Sequence, residues 1–330
     1  MKSLYALLIG LSPIIALSLS CVSDTGSSVG SWFISKLPSG TDYLYYDTSQ
    51  QTIQPSQNSL NDTHNGALAS TLRQLWLNST DYILFNDEPV VSSQQPTLTY
   101  GHTKGIWAWS NNEAILLTHS IPLFPKGPQN VNQYSGLNSN AYTYAQSMAC
   151  FSLTTQTLDT LATIAPLTAP NIYERRVRPA TPTNLARFAN GTISTIPVCY
   201  YQLFASNTIN SLLYFAKSSQ WNNELYSQCI APQLKTSLFV ESWIRGSAVG
   251  PSCSGNFRVL DVQNLKWFNK TYKETQDHSK WSVSATDSQL CIGDINRMTT
   301  QYARGGGAIC WNDTVLSNNV RRAITSSNAC

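Results

Sequence analysis

Two tripeptides, His102-Thr103-Lys104 and His278-Ser279-Lys280, hold the residue types best suited to chemistry in a chain with only 4 histidines among 330 residues. In an extended strand residues i and i+2 point to one face, so each tripeptide presents an imidazole beside an ammonium group. Brought together, two copies make a site of two imidazoles and two lysines. A phosphodiester suits such a site: the lysines hold the anionic oxygens, one histidine attacks phosphorus, and the other protonates the departing oxygen.

His-x-Lys alone is a weak signal, and the flanking residues strengthen it. His102 is followed by the apolar run Gly105-Ile106-Trp107-Ala108-Trp109, polar Ser110-Asn111-Asn112, and a second run that ends on His119. His278 is followed by Trp281-Ser282-Val283-Ser284, polar Thr286-Asp287-Ser288, and a run from Leu290 to Asn296. Both read as strand, turn, strand. His119 lies 17 residues after His102 and Asn296 lies 18 after His278, which aligns His119 with Asn296. Upstream, strand-like Tyr43-Leu44-Tyr45-Tyr46-Asp47, a helix-like stretch over 68–77 and strand-like Tyr82-Ile83-Leu84-Phe85 match strand-like 212–217, helix-like 224–234 and strand-like 238–243. The order strand, helix, strand, strand, strand in each half predicts a mixed α/β protein of two α/β halves.

Several of these segments together resemble the deoxyribonuclease II family. They are Tyr100-Gly101-His102-Thr103-Lys104-Gly105, Thr118-His119-Ser120-Ile121-Pro122, Asp277-His278-Ser279-Lys280-Trp281, Gly293-Asp294-Ile295-Asn296-Arg297 and Arg304-Gly305-Gly306-Gly307. Trp32-Phe33 and Lys36-Leu37-Pro38 match as well, so the resemblance spans nearly the whole chain. It implies a phospholipase D-like fold, pseudo-dimeric within one chain, and a metal-independent acid endonuclease that acts on DNA without sequence preference and leaves 3′-phosphate ends. No cofactor is called for. Gly293-x-x-Asn296 is also similar to the Gly-Ser-x-Asn that follows His-x-Lys in phospholipase D, whereas the acidic residue usual after that motif has no clear counterpart here. What orients each histidine is therefore left open by the sequence.

On this reading His102, Lys104, His278 and Lys280 carry catalysis, with His119 and Asn296 as supporting members of the site. The nucleophile is either His102 or His278; His102 is preferred, with His278 as the acid beside Asp277. A double displacement through a phosphohistidine follows, in which water activated by the second histidine as base releases the 3′-phosphate product. Arg297, Arg304 and Gly305, with Lys126, are the candidate phosphate contacts. Glycines 305–307 either let backbone amides approach a phosphate or form a tight turn. Neighbouring lysines lower both imidazole pKa values, which points to a bell-shaped, acidic activity profile. Trp107, Trp109 and Trp281 read as core, and His64 as an exposed histidine.

Residues 1–20 read as a secretory signal, with one Lys2, an apolar run and small Ser18 and Ser20, cut just before Cys21. Pro13 and the short run disfavour a membrane anchor. The halves are then 21–165 and 166–330, joined through the Pro- and Arg-rich stretch 165–182. Sequons at Asn61, Asn78, Asn190, Asn269 and Asn312 agree with passage through the secretory pathway to a secreted or lysosomal destination. The 8 cysteines suit four bridges in an oxidising compartment, and the lack of any Cys-x-x-Cys disfavours the competing reading as a zinc site. The resemblance implies Cys21 with Cys150, Cys253 with Cys330 and Cys291 with Cys310, which leaves Cys199 with Cys229. A net charge of +3, or +2 once Lys2 is removed, requires any nucleic-acid footprint to be local. Two rival functions fit the same residues: a secreted glycoprotein that binds DNA or a host receptor with little catalysis, and a phospholipase D-like enzyme for another phosphodiester.

Overall fold

The computed structural model describes residues 18–90, 99–204 and 211–330. A small hairpin, β1 (Cys21–Val22) with β2 (Ser28–Val29), precedes two large sheets. The first contains β3 (Ser31–Lys36), β4 (Tyr43–Asp47), β5 (Gln54–Pro55), β6 (Asp81–Asn86), β7 (Lys104–Ser110), β8 (Glu113–His119), β9 (Gln146–Thr154) and β10 (Ile172–Arg176). The second contains β11 (Cys199–Phe204), β12 (Leu212–Lys217), β13 (Leu238–Glu241), β14 (Val259–Trp267), β15 (Lys270–Lys273), β16 (Trp281–Ser284), β17 (Gln289–Gly293), β18 (Gly306–Asn312) and β19 (Ile324–Ser327).

Within the first sheet runs the spatial order β6-β7-β8-β9-β3, and within the second β13-β16-β17-β18-β12, all antiparallel pairs. The chain therefore builds the same five-strand unit twice. A helix bridges its first two strands each time: α1 (Ala67–Leu72) in the first half, and a π-helical turn Tyr226–Ile230 running into α4 (Ala231–Leu234) in the second. Another follows the last strand, α2 (Thr155–Leu161) after β9 and α5 (Thr314–Ala323) after β18. The mixed α/β class and the strand–helix–strand–strand–strand order match the sequence reading. Its alignment of the first strand does not: the counterpart of β12 is β3, not Tyr43–Asp47, which forms an added strand outside β3.

The strands are apolar on both faces because each sheet is covered twice. In β8, Ala114 and Leu116 enter a core shared with the second sheet, while Ile115 and Leu117 point the other way, into a core beneath α1. The shared core draws on both halves, and Phe151 of β9 meets Trp311 of β18 edge-on at 5.0 Å between centroids. Trp107, Trp109 and Trp281 all lie in it.

The chain changes sheets later than position 165. β10 completes the first sheet against β6, and α3 (Thr183–Ala189) lays Phe188 on Phe85 and Trp107 of that half. The arginines at the end of β10 and just after it act as staples: Arg176 donates to the Thr80, Leu75 and Leu77 carbonyls, and Arg178 pairs with Asp81 at 2.8 Å. Disulfides join Cys21 to Cys150, Cys199 to Cys229, Cys253 to Cys330 and Cys291 to Cys310.

The leader expected over 1–20 lies mostly outside the described residues, but its last three residues are part of the fold. Leu19 is 5% exposed and packs with Cys21 and Trp32. Its backbone N–H donates to Glu113 Oε2 at 2.8 Å, and Gln74 receives the Ser20 N–H and donates to the Ser20 carbonyl. A cut before Cys21 would discard that packing, about 2 kcal/mol for a buried Leu, and strand Gln74. A cut after Ser18, between the small residues Ala16 and Ser18 and the buried Leu19, keeps both. If a leader is removed, the remaining chain is therefore expected to begin at Leu19 or upstream; intact mass of the purified protein, after treatment that removes any glycans, checks this, and a chain starting at Cys21 contradicts it.

Candidate active site

The two His-x-Lys segments enter equivalent strands, β7 and β16, and meet where the halves join. Each histidine is held by the opposite half. The His102 N–H donates to the Gly305 carbonyl at 2.8 Å, and the His278 N–H to the Ala145 carbonyl at 2.8 Å. The imidazoles follow the same rule: His102 Nδ1 lies 2.6 Å from the Asp294 carbonyl and His278 Nδ1 lies 2.9 Å from that of Ser120. A carbonyl only accepts, so each Nδ1 carries the proton and each neutral ring keeps its lone pair on Nε2. That is the tautomer a nucleophile or a general base needs.

Glycines make this seam possible. A Cβ on Gly101 would lie 1.8 Å from the Thr168 carbonyl oxygen and 2.6 Å from that of Gly305, and one on Gly305 would lie 2.7 Å from the Thr168 oxygen. Three backbones pass within contact distance here, and only residues without a side chain allow it. Of the glycine run, Gly305 thus serves backbone packing between halves and, expected at the phosphate, offers its carbonyl to His102, while Gly306 and Gly307 pack against Ile295 and the Phe215 backbone of their own half.

Charge in the site is strongly unbalanced. Lys104 is 3% exposed and donates to Asp87, whose carboxylate also receives Arg304 Nη2 at 3.2 Å and lies 3.6 Å from His102 Nε2. These cations hold the Asp87 carboxyl far below its usual range against the opposing effect of burial. Lys280, 1% exposed, donates to the His278 carbonyl at 2.7 Å, with Nζ 3.2 and 3.3 Å from the two ring nitrogens. Burial and the two lysines push both imidazoles well below the ordinary histidine value, and burial with Lys104 does the same to Lys280. Each half's lysine acts on the other half's histidine, which places all four side chains in one cluster. Arriving phosphate would relieve this crowding of desolvated cations.

The supporting residues separate. His119, 1% exposed, stands across the β7–β8 ladder from Lys104; its Nδ1 accepts from Ile121 N–H at 3.2 Å, and burial with the nearby Lys104 lowers its pKa to about 3. The register places Gly293, whose N–H donates to the Lys280 carbonyl, in the corresponding position of the second hairpin. Asn296 therefore lies beyond it, buried, with Oδ1 unpartnered. The residue count misaligned them because the first hairpin turns through two residues, Asn111 and Asn112, whereas the second pairs over fewer residues around a longer turn. Arg297 corrects a second expectation: it is fully buried, its guanidinium bonded to Asp261 at 2.5 Å and to the Gly250 carbonyl at 2.9 Å, and so turned away from solvent. Lys126 is exposed on the loop after β8. Arg304 does reach the site, through Asp87.

The sequence reading missed Asp87, Trp243, Ser120 and Gln146. Gln146 Oε1 lies 3.3 Å from His278 Nδ1 and accepts from Ser120 Oγ at 2.5 Å. Trp243 meets the His278 ring edge-on at 5.2 Å. Asp87 and Trp243 each lie just past the end of a strand paired with a His-x-Lys strand, a position that becomes visible only once the pairing is known.

Two outcomes follow from this geometry. Gly101→Ala forces the seam apart; a loss of about 1–3 kcal/mol is expected by thermal or denaturant unfolding, together with a fall in activity measured well below the melting temperature, because His102 loses its Gly305 anchor. Asp277, 1% exposed, accepts from Ser279 N–H at 2.8 Å, and burial raises its pKa from 3.8 to about 6. Its contribution to stability is fully present below the unfolded value and is lost as pH rises through the folded one, by up to about 1.4 kcal/mol per unit. The stability of Asp277→Asn relative to wild type is accordingly expected to climb between pH 4 and 6 in urea titrations, whereas a pH-independent difference would refute the burial account.

Comparison with known proteins agrees with this site. The model of the family described as Deoxyribonuclease II matches residues 20–330. Deoxyribonuclease-2-beta of Rattus norvegicus is 31% identical, with 94% of this chain and 93% of the relative aligned. Deoxyribonuclease-2 of Caenorhabditis elegans is 30% identical over 94% and 93%, and deoxyribonuclease-2-alpha of Rattus norvegicus 29% over 95% of each. With the match running from end to end of the folded chain and both His-x-Lys segments inside it, the chain belongs to the deoxyribonuclease II family and is a deoxyribonuclease.

Proposed function

We propose that this deoxyribonuclease is a metal-independent acid endonuclease that cuts DNA without sequence preference, through a phosphohistidine intermediate, and leaves 3′-phosphate ends. The observation that carries the reading is the reciprocal clamp, which sets two Nδ1-protonated imidazoles and two buried lysines around one point. One imidazole attacks phosphorus and the other protonates the 5′-oxygen and then activates water. Lys104, Lys280 and Arg304 supply the positive charge that a transferring phosphoryl group requires, so the chain's own cations can take the part that metal ions play elsewhere.

Acid dependence follows from the depressed imidazoles. One must be protonated while the other is neutral, and lowering both moves that window below the ordinary histidine value. A secreted or lysosomal setting fits four disulfides and the exposure of all five sequon asparagines, Asn61, Asn78, Asn190, Asn269 and Asn312. Among the described residues no helix is long and apolar enough to cross a membrane.

Nicking of supercoiled plasmid in excess chelator from pH 4 to 8 tests this. Wild type is expected to cut with a bell-shaped acidic profile, and His102→Ala and His278→Ala each to lose at least about 10²-fold. A flat profile, or abolition by chelator, would count against it; no cutting of DNA by folded wild type, with turnover of a lipid or small diester, would favour the phospholipase D-like alternative.

A further inference from the structure

The two halves differ at the site in two equivalent positions, His119 against Gly293 and Asp87 against Trp243, and the second of these divides the labour of the histidines. β6 pairs Asn86 with Lys104, and β13 pairs Glu241 with Trp281, so the next step of each ladder sets Asn86 and Ser242 at corresponding places. The residues that follow are Asp87 and Trp243. In the first half this puts a carboxylate 3.6 Å from His102 Nε2, the only carboxylate within 4.0 Å of an imidazole nitrogen among the described residues. In the second it puts an indole against His278, 5.2 Å between ring centroids, with the Lys280 ammonium 3.3 Å from Nε2.

The groups facing each ring are therefore unlike. His102 has Lys104 and Arg304 nearby, and both are bonded to Asp87, whose negative charge opposes theirs at the ring. His278 has Lys280 with no carboxylate in contact; the Ser120 and Gln146 oxygens face its Nδ1, not Nε2. An anion beside Nε2 favours the imidazolium, and a cation beside it favours the neutral ring.

Resting on the phosphohistidine reading above, we propose that His278 is the nucleophile and His102 the acid and then the base, with Asp87 as the residue that positions and poises His102. This reverses the preference drawn from sequence. The Nε2 lone pair of His278 forms the N–P bond as the P–O5′ bond breaks, and the Nε2 proton of His102 passes to O5′. Water then gives a proton to His102 Nε2 and its oxygen to phosphorus, the N–P bond breaks, and the 3′-phosphate leaves with His278 neutral again. Asp87 remains an anion throughout. Arg304 acts through Asp87 and need not touch the substrate.

An ester whose leaving group needs no proton separates the two roles. With thymidine 3′-(4-nitrophenyl phosphate), His102→Ala and Asp87→Asn are expected to release about one nitrophenolate per enzyme in a burst and then stall, since the second step lacks its base. His278→Ala is expected to give no burst. After alkaline quench and proteolysis, the nucleotidyl group should map to His278. On DNA, Asp87→Asn should lower kcat by about 10²-fold and shift the basic limb of its pH profile to lower pH, with partial recovery in Asp87→Glu; a purely structural role would not move that limb. A burst from His278→Ala, or an adduct on His102, overturns the assignment. If wild type cuts plasmid but no protein forms a covalent nucleotide, the phosphohistidine reading fails and the assignment with it; if wild type cuts nothing, the nuclease reading itself has failed.

Discussion

Reciprocal hydrogen bonds between halves hold the site together. His102 is bonded through its backbone to Gly305 and through its ring to Asp294, both of the second half, while His278 is bonded to Ala145 and Ser120 of the first. Each imidazole finds the carbonyl acceptor of its Nδ1 proton in the opposite half. A buried N–H or ring nitrogen left without its acceptor carries a desolvation cost of about 1–3 kcal/mol, so closing the seam and orienting the catalytic groups are one event. The shared core, with Phe151 against Trp311, and the glycine crossing at Gly101 and Gly305 bring the backbones close enough for those bonds.

The same duplication explains two buried lysines outside the chemistry. Lys36 and Lys217 end the equivalent strands β3 and β12 and are both fully buried. Lys36 donates to the carbonyls of Leu37, Tyr142 and Tyr144, and Lys217 to those of Gln301 and Tyr302. Burial lowers each to about 8, still above neutrality, so both remain charged at acid pH. Each ties down the loop leading into β9 or β18, and those loops deliver Ala145 and Gly305 to the opposite histidine. The lysines therefore act on catalysis at one remove, by fixing the acceptors.

The repeat and its chemistry were legible in the sequence because they depend on rare residues: with so few histidines, two copies of one tripeptide with similar flanks stand out. The strands around them were legible because each is an apolar run bounded by polar turns, and the disulfide pairs because the family resemblance covers the whole chain. Register was not legible. Counting to the next polar residue aligned His119 with Asn296, since nothing in the sequence says that the first hairpin has a two-residue turn and the second a longer one. Burial was not legible either, as Arg297 shows: adjacent to a motif residue, it is spent on Asp261 in the interior. Asp87 escaped notice for the complementary reason, being far in sequence from both histidines' anchors and near them only through the pairing of β6 with β7.

A site of this kind faces an electrostatic conflict that the fold resolves asymmetrically. Four cationizable side chains brought together out of water repel one another, and placing a carboxylate beside each pair would relieve the strain but occupy both sides with anions before the phosphate arrives. The structure supplies one carboxylate, Asp87, to the first half and an aromatic ring, Trp243, to the second. Elsewhere near the cluster, Glu241 is buried with neither carboxyl oxygen hydrogen-bonded, and burial drives its carboxyl well above the usual range, which favours the neutral form over an anion. The cluster thus keeps a net need for negative charge, concentrated on the side of Lys280 and His278, where among the described residues Asp87, Asp277 and Asp294 act only from beyond ion-pair distance. Substrate phosphate can satisfy that need, and its binding energy is then available to offset the crowding that the empty site bears.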